Sequence, residues 1–121
     1  MAIQKMPCAV GSGGGSADLT LLDSYMDGSN NPISRTYQTQ KAGYLYVYVV
    51  ATGYGGDYGG DCTITVNGTT VTSADYLVAV AQNNITGVYI AKLNCQNGDV
   101  ISVTATGRGN GYHGDAIMFV G

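Results

Sequence analysis

The sequence predicts an all-β domain: a two-sheet antiparallel jelly-roll sandwich. Three observations point to the β class. Val, Ile and Thr abound while ten Tyr accompany a single Phe, nineteen Gly punctuate the chain, and apolar residues recur with period two rather than 3.6. At 121 residues the chain has room for one core. Only 11% of its residues are charged, against about 25% in ordinary soluble domains. Much of the outer surface must therefore be neutral, and neutral surface commonly meets a partner.

The chain opens with Met1-Ala-Ile-Gln-Lys-Met-Pro-Cys-Ala-Val10, then Gly11-Ser-Gly-Gly-Gly-Ser16, which has the composition of a flexible coil. Residues 1–16 read as a tether or an appended remnant, outside the fold in either case, and 17–121 as the head domain. The opening lacks the apolar core of a secretory signal, and no run approaches about 18 apolar residues. The expectation is a chain made in the cytoplasm, without a membrane partner.

Within the head, residues 19–22 and 33–39 are weak strand candidates, and 18–25 is the one place where a short helical turn fits. Gly43-Tyr-Leu-Tyr-Val-Tyr-Val-Val-Ala51 is the clearest strand, with Tyr44, Tyr46 and Tyr48 on one face and Leu45, Val47 and Val49 on the other. Neither face is polar, so this strand needs cover on both sides: its own core, and something else. Residues 63–66 and 69–72 flank Asn67-Gly68, which supplies the two positive-φ residues of a type I′ hairpin. Strands over 76–81, 87–93, 99–106 and 116–120 complete a set of about eight, the count of a jelly roll.

Four segments resemble the globular C1q/TNF-like jelly roll, including the versions found on bacteriophage and bacterial surface proteins. Gly43-Tyr-Leu-Tyr-Val-Tyr-Val49 is similar to that family's inner strand, and Ile64-Thr-Val-Asn-Gly-Thr-Thr-Val71 to the hairpin that follows it. Gly87-Val-Tyr-Ile-Ala-Lys-Leu-Asn-Cys-Gln-Asn-Gly-Asp-Val-Ile-Ser-Val103 is similar to the strand pair near its C-terminus, and Ala116-Ile-Met-Phe-Val120 to its closing strand. The resemblance covers residues 43–121. It implies a homotrimer whose inner sheets face a threefold axis, with Tyr44, Tyr46, Tyr48 and Tyr89 at the interface. Shortness, a missing collagenous stalk and few aromatic core residues after Tyr89 separate the chain from complement and cytokine members.

Candidate chemistry is sparse. The formal net charge of −3 leaves no basic stripe for phosphates, which speaks against nucleic acid. His113 is the single histidine, and Cys8, Cys62 and Cys95 have no metal-type spacing; they read as thiols, with a Cys62–Cys95 pairing open to them in an oxidising medium. Asp57, Asp61 and Asp115 each adjoin Gly, where Asp is ordinary turn chemistry. Gly53-Tyr-Gly-Gly-Asp-Tyr-Gly-Gly-Asp61 permits three readings: a degenerate calcium loop, a contact loop presenting Tyr54 and Tyr58, or a plain long connection. Arg108, Tyr112 and His113 belong to a second loop of the same kind.

The function expected from these features is non-enzymatic and needs no cofactor. By resemblance and small size it is that of a virion structural protein: a trimeric bacteriophage capsid decoration protein or head fibre. Its arm, through Ile3, Met6, Pro7, Cys8 and Val10, would dock to the major capsid protein or another virion protein. The alternative is a tail-fibre or bacterial surface tip that holds host-surface glycans through Tyr54, Tyr58, Tyr112 and neighbouring Asp or Asn, with Asp57, Asp61, Arg108 and His113 further candidates in the same contact loops.

Overall fold

The computed structural model describes residues 19–28, 32–53, 59–108 and 114–121. The arm residues Ile3, Met6, Pro7, Cys8 and Val10, and the loop residues Tyr54, Asp57, Tyr58, Tyr112 and His113, lie outside them.

Among the described residues nine strands form two antiparallel sheets, as the period-two pattern predicts: β1 (Leu21–Asp27), β2 (Ile33–Gln38), β3 (Gly43–Thr52), β4 (Gly60–Val66), β5 (Thr69–Thr70), β6 (Tyr76–Asn83), β7 (Thr86–Cys95), β8 (Val100–Gly107) and β9 (Asp115–Val120). The five-stranded sheet has the order β1-β9-β3-β7-β6, the four-stranded sheet β2-β8-β4-β5. The sole helical element among the described residues is a 3-10 turn, Ser73–Asp75, at the crossing from β5 to β6. The helical turn allowed over 18–25 does not form, because Tyr25 alternates with its neighbours in register against β9 and packs on the core.

The core is what the inward residues of both sheets place between them. Leu45, Val47, Val49 and Ala51 of β3, Tyr89, Ala91 and Leu93 of β7, and Ile117 and Phe119 of β9 meet Ile33 of β2, Ile64 of β4 and Ile101, Val103 and Ala105 of β8. Each fully buried aliphatic or aromatic side chain contributes about 1.5–3 kcal/mol. Tyr37 of β2 stacks on Phe119 of β9 with ring centroids 5.3 Å apart, joining one sheet to the other.

Turn chemistry sets the ends. Asn67 and Gly68 both have positive φ, 51° and 86°, as the predicted hairpin requires. Beside them the Asp99 carboxylate accepts from the Gln96 N–H at 2.8 Å and from Asn67 Nδ2 at 3.0 Å, and the Asn67 side-chain oxygen accepts from the Val100 N–H. Thr39 completes the knot, its hydroxyl accepting from the Asp99 N–H at 2.9 Å. Thus β2, β4, β7 and β8 are tied together at the end where residue 19 enters. There Thr20 and Gly121 also exchange backbone hydrogen bonds of 2.9 and 3.0 Å.

Candidate assembly face and loop end

Antiparallel register puts directly paired residues on the same face of a sheet, so the outer face of the five-stranded sheet can be read row by row. Tyr48 of β3 faces Ile90 of β7 on one side and Met118 of β9 on the other; Ile90 in turn faces Val78 of β6, and Met118 faces Ser24 of β1. The next row is Met26, Ala116, Val50, Val88 and Val80. Toward the chain's entry lie Tyr46, paired with Lys92 and Val120, and then Tyr44, paired with Asn94. Tyr44, Tyr46 and Tyr48 do share the outward face, and Leu45, Val47 and Val49 the core, as their spacing predicts.

Tyr89 is a correction to the expected interface. It pairs with Val49, points into the core at 9% exposure, and donates its hydroxyl to the Gly60 carbonyl at 2.8 Å. It cannot join the outward tyrosines, because its register with Val49 gives it the opposite parity. The residues that do extend the face are Val50, Val88, Ile90, Met118 and Val120, none of which the sequence reading selected. Their signal is present in the sequence, since residues 88–91 of β7 and 116–120 of β9, like β3, are apolar at both parities.

The outer face of the four-stranded sheet has a different composition. Its rows are Thr36, Ser102, Thr65 and Thr70, then Ser34, Thr104 and Thr63, with Thr106 beside Asp61. The hydroxyls of Ser34 and Thr104 lie 3.0 Å apart and those of Thr36 and Ser102 3.3 Å apart. This face is suited to water.

The flanks of the two Tyr- and Gly-rich loops come together at the end away from residue 19. Arg108 binds Asp61 through Nη2 at 2.8 Å and Nε at 3.3 Å, and its backbone N–H donates to the Gly59 carbonyl at 3.0 Å. The guanidinium holds the Asp61 carboxyl below the usual carboxylate range. Both residues were candidates for ligand contact; the structure engages each with the other. Gly53 and the β6–β7 turn join the same end, the Gly53 N–H donating to the Ile85 carbonyl at 2.8 Å.

Glycine is required here by packing as well as by flexibility. A Cβ on Gly59 would stand 2.0 Å from the Ala81 carbonyl oxygen, and one on Gly60 2.3 Å from the Ala51 Cβ. Asp115, read from sequence as turn chemistry, is 2% exposed and accepts the Thr52 N–H at 2.9 Å, closing the end of β3.

Cys62 and Cys95 are free thiols. Cys62 pairs with Ala105 near the loop end and Cys95 with Gly43 near the other, so the pairing left open by the sequence does not form. Burial pushes the Cys62 thiol up to about 12 and also raises that of Cys95, which makes both poor nucleophiles at neutral pH. Among the described residues no three His, Cys, Asp or Glu stand together as metal ligands, and no helix is long and apolar enough to cross a membrane.

No protein-family model, curated protein or solved structure matches this chain.

Proposed function

We propose that this protein is a non-enzymatic virion structural protein: a homotrimeric bacteriophage capsid decoration protein or head fibre, anchored through residues 1–16 and assembled through the outer face of its five-stranded sheet. The observation that carries the assembly reading is that face, apolar across five strands on the side turned away from the core. An antiparallel sheet open to water normally has one polar face, as the four-stranded sheet here does. The strand order, with β1, β9, β3 and β7 adjacent in one sheet and β2, β8, β4 and β5 in the other, supports a jelly roll. Placement on a virion, made in the host cytoplasm, rests on the C1q/TNF-like resemblance and the small size.

Polarity supports an anchored head. Residue 19 enters at one end, while the flanks of the Tyr- and Gly-rich loops gather at the other, so an arm fixed to a shell leaves those flanks facing away from it. Deleting residues 1–16 tests this directly: the truncated head should still form trimers by light scattering and should lose its place on capsids. Normal decoration by the truncated chain would remove the arm from the proposal.

The same gathering of loop flanks favours a second reading, a glycan-binding tip. Binding on a glycan array that disappears in Tyr54→Ala, with the oligomer intact, would select it; silence across surface sugars would leave the structural reading.

A further inference from the structure

We infer that the hydrogen-bonded knot at the entry end guards two sites of spontaneous deamidation, Asn67-Gly68 and Asn97-Gly98, and that conversion of Asn67 undoes the knot irreversibly. This goes beyond the assembly reading and does not rest on it. Asn-Gly is open to the reaction because glycine has no side chain to keep its nitrogen away from the asparagine amide. A third such pair, Asn110-Gly111, lies outside the described residues.

The reaction needs no enzyme and no cofactor. The glycine nitrogen attacks the asparagine Cγ, the new C–N bond closes a succinimide ring, and the Cγ–Nδ2 bond breaks. The departing nitrogen takes up the proton that the glycine N–H has lost and leaves as ammonia. Water then opens the ring at either carbonyl, giving aspartate or isoaspartate. Two groups must therefore be free: the asparagine amide, to turn toward the backbone, and the glycine N–H, to lose its proton.

At Asn67 the amide is held. Its Nδ2 donates to Asp99 Oδ1 at 3.0 Å and its Oδ1 accepts from the Val100 N–H at 2.9 Å, so both ends of the amide plane are fixed. The first of these bonds is charge-assisted, since the Gln96 N–H and then Asn67 itself keep the Asp99 carboxyl below the usual carboxylate range. At Asn97 the side chain is exposed, and the glycine is held instead. Gly98, at a φ of 91°, donates its N–H to the Thr39 carbonyl at 2.9 Å. Thr39 and Asp99 are joined in turn, the Thr39 hydroxyl accepting the Asp99 N–H at 2.9 Å. One pair of residues thus withholds a different reactant at each site.

Conversion of Asn67 carries its own lock. Aspartate at that position would set a carboxylate against the Asp99 carboxylate where an amide now donates across 3.0 Å, and like charges that share a site repel. Isoaspartate would add a carbon to the backbone of a two-residue turn whose positive φ values leave no slack for it. Either product loosens the end at which residue 19 enters.

The test holds the full chain in mildly alkaline buffer, native and in urea, and follows aspartate and isoaspartate at Asn67 and Asn97 by peptide mapping with mass spectrometry. Both sites should convert at least about tenfold more slowly in the native chain than in urea. Asp99→Ala should speed conversion of Asn67 about tenfold, whereas Asp61→Asn, at the far end, should leave it within about twofold of wild type. Amide exchange at Val100 reads the consequence. It should be about tenfold faster in Asn67→Asp and return to within about threefold of wild type when Asp99→Asn is added, which exchanges amide and carboxylate. If Asp99→Ala does not fold, the comparison of native and urea rates in the wild-type chain decides for the guard. Equal conversion of Asn67 native and in urea, a folded Asp99→Ala that converts no faster, or Val100 exchange untouched by Asn67→Asp would overturn the inference.

Discussion

The two sheets share one core and differ on their outsides. The outer rows of the four-stranded sheet are mostly Ser and Thr, whereas those of the five-stranded sheet are mostly Val, Ile, Met and Tyr. Both sets of residues favour strands, so backbone propensity does not account for the difference. What differs is how each face would meet water. Threonine keeps the β-branched shape and adds a hydroxyl that water can satisfy; valine in the same place leaves apolar area that only another apolar surface removes from water.

The largest effect should come from the face that both media leave alone. Phe119 is fully buried and stacked on Tyr37, while its neighbour Met118 points outward. Phe119→Ala should lower the stability of the chain by about 3–5 kcal/mol in chemical denaturation, whatever its oligomeric state. A change of the same size in Met118→Ala would dissolve the distinction between inward and outward parity.

Next in size is a charge placed on either outside. If the chain assembles as proposed, Tyr48→Asp should abolish assembly in light scattering and leave a folded monomer, because an unpaired carboxylate cannot be carried into an apolar contact. Thr104→Asp, at the centre of the hydroxyl face, should leave assembly as it is and shift stability within about 0.5 kcal/mol. Assembly lost in Thr104→Asp and kept in Tyr48→Asp would exchange the roles of the two faces.

Smaller still is the bond that joins the sheets at the loop end. Tyr89→Phe removes the hydroxyl that the Gly60 carbonyl accepts and should cost about 1 kcal/mol in thermal or denaturant unfolding, without effect on oligomer mass. A dissociated oligomer in this variant would return Tyr89 to the interface from which its register with Val49 removes it.

Acid should give the mildest response. Three carboxylates are held below their ordinary range by their partners: Asp23 by the Arg35 guanidinium, Asp61 by Arg108, and Asp99 by the Gln96 backbone N–H and then Asn67. Their folded-state values lie below the unfolded ones. The stability they contribute is therefore fully present above about pH 4 and lost as pH falls through the folded values. All three are exposed enough for solvent and salt to screen them, so the melting temperature should fall gently below pH 4, less so in Arg35→Gln, where Asp23 has lost its partner.

Much of this was legible along the chain. The alternation in residues 43–51 separates Leu45, Val47 and Val49 from Tyr44, Tyr46 and Tyr48 because side chains in a strand alternate faces whatever the strand pairs with. Asn67-Gly68 announces its hairpin because positive φ is a local requirement. Tyr89 is not placed by sequence because residues 88–91 around it are apolar at both parities, and residue type alone does not say which parity faces in. Gly59 and Gly60 read as the frame of a loop, since a close approach to Ala81 and Ala51, far apart in sequence, leaves no local mark. Of the expected contact residues, Asp61 and Arg108 were chosen for their loops, but their pairing depends on β4 lying beside β8.

By itself, then, the sequence determined the β class, the outward tyrosine column and the tight hairpin, all of which depend on interactions within a few residues of chain. Tertiary structure decided the rest. Register against β7 and β9 turned one column of tyrosines into an apolar strip five strands wide, and strand order set a hydroxyl face opposite it. It also brought the loop flanks to one end, away from residue 19. Those outcomes depend on which strands become neighbours, a choice made by burying both inner faces at once rather than by any one segment.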